Sequence, residues 1–158
     1  MNRFMVLLGC GSLLLTVSAL RAEMPRYSNT ANSPTTPAIV WHDTLDAGWE
    51  ESRRRNVPMV IYITTENCRY CDAMKRDTWC DASVRQRIAQ GFVAIRLTPR
   101  HNSATLSRIS VNTYPSTLVG VPQGKIIGHR FGYQPATALH GLLSEGQQRR
   151  LRRTTSSN

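Results

Sequence analysis

The sequence predicts a single α/β domain, a central mixed β-sheet flanked by helices on both faces. Three observations lead there. Residues 57–64, Val57-Pro58-Met59-Val60-Ile61-Tyr62-Ile63-Thr64, form a nearly continuous apolar, largely β-branched run, the pattern of a strand buried on both faces. A second run, Phe92-Val93-Ala94-Ile95-Arg96-Leu97, follows a helical stretch, and strand–helix–strand gives a right-handed parallel crossover. Finally, Ser116–Val121 and Lys125–Arg130 flank Pro122-Gln123-Gly124, a hairpin signal that adds antiparallel strands to the parallel pair. A chain of 158 residues has room for one core.

In chain order, Ile39-Val40-Trp41 is a short strand. Asp43 or Thr44 caps a helix over Leu45–Arg55, with Leu45 and Trp49 at i, i+4 on one face. Arg53-Arg54-Arg55 fall in its last turn, where cations suit the helix dipole. The strand at 57–64 leads to Thr64-Thr65-Glu66-Asn67-Cys68-Arg69-Tyr70-Cys71, with both cysteines at the head of a helix. Asp81 caps a second short helix, with Val84 and Ile88 facing inward. Residues 98–113 carry a weaker signal, in which Leu106 and Ile109 mark one helical turn. Pro135 opens a last helix, with Leu139, Leu142 and Leu143 along one face. The order is βαβαβ(α)ββα, and no internal repeat is visible.

The termini differ from this core. Arg3 followed by the uncharged apolar stretch Met5–Leu20 reads as an export signal, cleaved after Ala19 or Ala22. At about 16 residues the stretch is shorter than the ~20 that a spanning helix needs, and retention as a membrane anchor is the alternative. Leu8-Gly9-Cys10 is a faint lipoprotein-like pattern with too short an apolar stretch before the cysteine. Residues 23–37, rich in Pro, Ser, Thr and Asn, read as a flexible linker. The folded domain is expected over 38–146. Residues 147–158, including Arg149, Arg150, Arg152 and Arg153, read as a basic disordered tail. The net charge of +10 is carried by 18 arginines and two lysines, and loss of residues 1–22 lowers it to +8. That sign suits an anionic envelope surface, which the tail would meet, or acidic partners. No nucleic-acid module accompanies the charge, so no specific nucleic-acid partner is expected.

The chemistry concentrates at Cys68 and Cys71. A thiol at a helix N-terminus sits at the positive end of the dipole, which favours the thiolate. A second cysteine one turn on is placed to resolve a mixed disulfide formed by the first. Export to an oxidising compartment makes disulfide chemistry plausible. The signal would carry off Cys10 and leave an odd set of thiols: Cys68, Cys71 and Cys80.

Over residues 38–146 the sequence resembles the thioredoxin-like superfamily. The resemblance rests on Cys68-Arg69-Tyr70-Cys71 after a buried strand, Tyr114-Pro115 before the next strand, and Gly124-Lys125-Ile126-Ile127 followed by Gly132-Tyr133. The run Cys68-x-x-Cys71-Asp72-x-Met74-Lys75-x-Asp77-Thr78-Trp79-x-Asp81-x-x-Val84 looks like the exported branch of that superfamily. This branch includes the periplasmic thioredoxin-like domains of disulfide interchange proteins. The resemblance implies that Cys68 is the exposed nucleophile and Cys71 the buried resolving thiol. It implies that Pro115 is a cis proline beside the disulfide, and that the backbone of Tyr114 is free to pair with an extended substrate. Arg69 and Tyr70 would then face substrate. A guanidinium near Cys68 would further stabilise its thiolate and raise the reduction potential above that of thioredoxin. The alternative is that Arg69 points to solvent and shifts little.

Two positions depart from the family pattern. Asn67 stands where Trp often precedes the first cysteine, and Tyr62 stands where many thioredoxins bury a carboxylate that serves proton transfer. Glu66 is the nearest acid in sequence, acting through water or simply solvated. Cys80 reads as a buried core thiol, as a second redox partner or intermolecular link, or as a metal ligand. His42, His101, His129 and His140 lie far in sequence from a second ligand pair and read as surface or packing residues. No glycine-rich phosphate loop, paired acids or serine nucleophile motif is present. The sequence therefore predicts a protein-disulfide oxidoreductase that exchanges disulfides with envelope proteins, using no cofactor or metal. Its partners would be protein thiols and disulfides and a membrane disulfide reductase or oxidase. The alternatives are a peptide-binding, chaperone-like module and a soft-metal (copper) handling protein.

Overall fold

The computed structural model describes residues 36–109 and 111–155. The signal and nearly all of the linker lie outside the described residues. The elements are β1 (Trp41–His42), α1 (Leu45–Arg55), β2 (Met59–Ile63), α2 (Arg69–Asp77), α3 (Ala82–Gly91), β3 (Val93–Leu97), α4 (Pro99–Arg108), β4 (Ser116–Gly120), β5 (Ile126–Phe131) and α5 (Ala136–Thr155). They form one five-stranded sheet of order β1-β3-β2-β4-β5. β1, β3 and β2 run parallel, while β4 is antiparallel to both β2 and β5. This is the mixed sheet that the sequence predicts.

β2 is central, and all five of its residues are buried. Side chains alternate across a strand, and here the alternation divides the core in two. Val60 and Tyr62 join Met74, Trp79, Val84, Ile88, Leu139, Leu142 and Leu143 beneath α2, α3 and α5. Met59, Ile61 and Ile63 join Ile95, Leu106 and Leu118 on the opposite face, under α4, with Leu45 of α1 packed against them.

α1 spans the expected residues, and Thr44 caps it by accepting from the Ala47 amide at 3.3 Å. Its inward face differs from the expected one. Gly48 and Ser52 are buried, whereas Trp49 turns outward and donates its indole N–H to the Pro122 carbonyl at 2.7 Å. Ile95 occupies the space where a Cβ on Gly48 would lie, so glycine lets the helix approach the sheet at this point.

Asp81 caps α3 through the Val84 amide at 3.0 Å. The Ser83 hydroxyl and that amide together hold its carboxyl below the ordinary range. The weak signal at 98–113 is a full helix, α4, with non-helical dihedrals at the buried Asn102. Gly124, at φ +80°, turns the hairpin between β4 and β5.

The boundary expected after residue 146 is corrected. α5 continues through Thr155, so the arginine-rich stretch Arg149–Arg153 is helical. Arginine is a good helix former, and cations near a helix C-terminus are stabilised by its dipole.

Candidate active site

The end of β2 delivers the chain to the site. After Ile63 the backbone passes through Thr64–Asn67 and enters α2, whose N-cap is Cys68. Asn67 adopts φ 53°, the left-handed region that asparagine tolerates far better than a bulky aromatic residue does. This gives a physical reason for asparagine at a position where the family often carries Trp. The Cys71 amide donates to Cys68 Sγ at 3.2 Å, so the sulfur itself fills the capping position that Ser or Asp usually takes.

Cys68 and Cys71 form a disulfide, with an S–S distance of 2.08 Å, χ3 of 73° and a Cα–Cα distance of 5.2 Å. The two sulfurs are unequal in access. Cys68 is half-buried and Cys71 is fully buried. Cys71 and Met74, at i and i+3, form the inner face of α2. Arg69 and Tyr70 occupy the first turn and are exposed, Tyr70 at 61 %.

Beneath Cys71 lies Tyr62. Its hydroxyl donates to the Cys71 carbonyl at 3.1 Å, and its ring packs against Trp41 and Trp79 at centroid distances of 6.1 and 5.0 Å. Burial pushes the Tyr62 phenol above its ordinary range, while the nearby Thr64 hydroxyl and Trp79 indole act in the opposite sense. Neither Thr64 Oγ1 nor Trp79 Nε1 completes a hydrogen bond among the described residues. Tyr62 is therefore a neutral donor that anchors the first turn of α2. Glu66 forms an open ion pair with Arg100 at 3.2 Å, both side chains being about three-quarters exposed. Such a pair contributes little to stability, and Glu66 is the solvated acid of the two readings.

The second half of the site comes from β4. Because β4 is antiparallel to β2, Ser116 pairs with Ile63. This brings Tyr114-Pro115, just before β4, to the sheet end where β2 delivers Cys68. The Tyr114–Pro115 peptide bond is cis. Pro115 is buried and Tyr114 half-buried, packed on the core beneath α4. The Gly132 amide donates to the Pro115 carbonyl at 2.8 Å. The backbone N–H and C=O of Tyr114 take no hydrogen bond among the described residues.

One residue at this end is absent from the sequence-based set. Phe131 pairs with Ser116 across the hairpin and is 57 % exposed. The sequence pattern ends the strand at Arg130, and only the β4–β5 register reveals that Phe131 lies beside Pro115. Its ring packs against that of His129, with centroids 4.0 Å apart and planes tilted by 44°. Burial lowers the His129 pKa, and Nε2 is buried without a partner. The sign follows directly. The unfolded chain takes up the proton near the ordinary value of 6.5, and the folded form resists it to lower pH. Stability is therefore full above that value and falls as pH drops below it. The urea midpoint is expected to decline between pH 7.5 and pH 5, and His129→Gln is expected to flatten that decline.

Of the readings open for Cys80, the buried core thiol is removed: it is an exposed free thiol, and Trp79 takes the buried place after α2. Among the described residues, no group of three or more His, Cys, Asp or Glu side chains is arranged to hold a metal ion. No described helix is long and apolar enough to cross a membrane.

Comparison with known proteins agrees with this geometry. A family model described as thioredoxin-like matches residues 40–122, more than half of the chain. Anterior gradient protein 3 of Xenopus tropicalis is 26% identical over 139 residues, covering 83% of this chain and 82% of its own. The mouse protein of the same name is 26% identical over 100 residues, and the match spans 60% of each chain. Among solved structures, DsbH oxidoreductase superposes with a TM-score of 0.64 at 13% identity, over 80% of this chain and 96% of that one. A thioredoxin from Thermus thermophilus gives a TM-score of 0.61 at 17% identity, over 69% and 87%. A helix-capping half-buried sulfur bonded to a buried one and this family match lead to one conclusion: the chain belongs to the thioredoxin-like family and is, in general terms, a thiol–disulfide oxidoreductase.

Proposed function

We propose that the protein exchanges disulfides with other proteins of the cell envelope, after export directed by residues 1–22. The observation that carries this reading is the unequal access of the two bonded sulfurs at the N-terminus of α2. In the reducing direction, the Cys68 thiolate attacks one sulfur of a substrate disulfide. A Cys68–substrate bond forms as the substrate S–S bond breaks, and the first substrate thiolate leaves. The Cys71 thiolate then attacks Cys68 Sγ, closing the internal disulfide and releasing the second substrate thiolate. In the oxidising direction the same steps run backwards. Partner and potential set the direction, and a membrane disulfide reductase or oxidase resets the pair. Helix-terminal Cys68 and the adjacent Arg69 favour a potential more oxidising than the roughly −270 mV of thioredoxin. Equilibration against a glutathione series measures it.

Substrate would lie along Tyr114-Pro115 as an added strand, using the unpaired Tyr114 backbone. Tyr70 and Phe131 would offer aromatic contacts beside it. The arginine-bearing end of α5 is suited to hold the protein at an anionic surface.

Trapping tests the reading. Cys71→Ser is expected to accumulate mixed disulfides with envelope proteins through Cys68, and the further change Cys68→Ser should remove them. The unpaired Tyr114 backbone also suits a second reading, a module that holds extended peptides without turnover. That reading gains if peptide binding is intact in Cys68→Ser while no mixed disulfide forms with Cys71→Ser.

A further inference from the structure

The sheet topology sorts the charge of the domain by end. The disulfide lies where β2 and β3 finish. The opposite end, where those strands begin, collects cations from three elements. α1 returns between the parallel strands β1 and β2, so Arg53, Arg54 and Arg55 of its last turn lie there. Gly120 pairs with Met59, which brings the β4–β5 hairpin and Lys125 to the same end. α5 runs back along the sheet with Gly146 against Val119 and Phe92, and carries Arg149 and Arg152 beyond them. The segments gathered at this pole, residues 52–58, 89–92, 120–126 and 146–155, contain no Asp or Glu.

These cations form one continuous surface. Lys125, Arg149 and Arg152 line a cavity of about 460 Å³ together with Val121 and Ile127. Trp49 joins the hairpin to α1: it lines a second cavity with Arg53 and Arg54, and its ring fills the space where a Cβ on Gly124 would lie. Trp49 and Ile126 are each 36 % exposed. The nearest carboxylates are engaged or set back. Glu51 is held by Arg54 at 2.7 Å, and Glu145, which lines the α5 cavity, is held by Arg130 at 2.6 Å. Asp46 and Glu50 line the Trp49 cavity from turns nearer the start of α1. Arg53, Lys125 and Arg149 form no ion pair among the described residues. The disulfide end is balanced instead, with Lys75, Arg96 and Arg100 held by Asp72, Asp43 and Glu66.

We infer that this pole docks on an anionic lipid bilayer and holds the Cys68–Cys71 disulfide on the side facing away from it. The inference rests on the surface contact proposed above for α5 and extends it to α1 and the hairpin. Charge complementarity selects an anionic partner, since each exposed cation near an anionic leaflet adds to binding. Trp49 selects a bilayer. Its indole N–H is tied to the Pro122 carbonyl and its ring lies among arginines, and the headgroup layer is where such amphipathic rings settle. The five residues of β2 set the disulfide about 15 Å or more from the surface, at about 3.3 Å per residue. Partners therefore reach Cys68 from the aqueous side.

Sedimentation with vesicles tests this on the full chain at one ionic strength. Vesicles of equal parts phosphatidylglycerol and phosphatidylcholine are compared with vesicles of phosphatidylcholine alone. The apolar stretch Met5–Leu20 is common to both measurements and to every variant, so the ratio of the two affinities reads the charge. Arg53→Gln with Lys125→Gln is expected to lower that ratio about twentyfold, since one cation at an anionic surface contributes roughly fivefold. Arg76→Gln with Arg100→Gln removes the same charge at exposed positions of the disulfide half, and is expected to lower it less than about twofold, because those cations stand beyond a screening length from the lipid. Equal losses from the two pairs overturn the inference. A loss from Arg149→Gln with none from the first pair also overturns it, and leaves contact through α5 alone. Tighter binding to a DNA duplex than to the anionic vesicles, weakened by the first pair, makes the pole a nucleic-acid surface and overturns the lipid assignment. In the reduced, vesicle-bound protein, iodoacetamide is expected to modify Cys68 as fast as in the free protein, and protection of Cys68 overturns the orientation. None of these readouts depends on exchange, so their failure is distinct from failure of the Cys71→Ser trap.

Discussion

Replacing Cys68 with serine is expected to lower disulfide exchange by a factor of about 10³ or more, to the level of the uncatalysed reaction. A serine hydroxyl at the same position would still cap α2 by accepting from the Cys71 amide, so the fold should survive. Only the nucleophile is lost. Cys71 cannot substitute for it, because its side chain is fully buried on the inner face of α2. Cys80 is exposed but follows the far end of that helix. Cys80→Ser is therefore expected to leave the exchange rate unchanged. Turnover of a fluorogenic peptide disulfide by the two variants checks both statements. Wild-type rates in Cys68→Ser would mean that the chemistry lies elsewhere.

The second large effect concerns the support beneath the disulfide. Tyr62→Ala is expected to destabilise the protein by about 3–5 kcal/mol, the usual cost of deleting a buried aromatic side chain. Tyr62 is 1 % exposed and touches both Trp41 and Trp79, so its removal opens a void that the rigid centre of the sheet cannot close. Tyr62→Phe separates the hydroxyl from the ring. It should cost only about 1 kcal/mol, the net value of one hydrogen bond, by freeing the Cys71 carbonyl from its 3.1 Å tie. Urea unfolding of both variants gives the two numbers. A Tyr62→Ala cost near that of Tyr62→Phe would show that the ring does not hold this layer together.

Much of the architecture is legible from local pattern alone. The run at 57–64 names the central strand, the hairpin residues Pro122-Gln123-Gly124 fix the antiparallel pair, and Asp81 marks the start of α3. These signals are local and agree with the tertiary structure. The differences arise where long-range contact decides. Trp49 has the amphipathic spacing of a core residue, yet Gly48 is the one that faces Ile95, because the helix must approach the sheet closely there. The helical character of 147–155 is hidden by its charge, although every residue from Gln147 to Arg153 is a good helix former.

The site divides in the same way. Cys68, Cys71 and the Tyr114-Pro115 turn are visible as motifs. Their common location follows only from the β2–β4 pairing, and so does the place of Phe131. The substitution of a buried acid by Tyr62 is visible in the sequence. That the phenol anchors the Cys71 carbonyl is a fact of the packing. Cys80 could not be assigned to core or surface from spacing, because Trp79 beside it competes for the same buried place.

The central claim is that the reduced protein presents one sulfur to solvent and keeps the other behind it. Timed alkylation of the reduced chain with iodoacetamide, followed by peptide mapping, tests this directly. Cys68 is expected to react at least about tenfold faster than Cys71, since a helix N-terminus favours the thiolate and burial withholds the second thiol. Equal rates at the two cysteines, or faster modification of Cys71, would contradict the account.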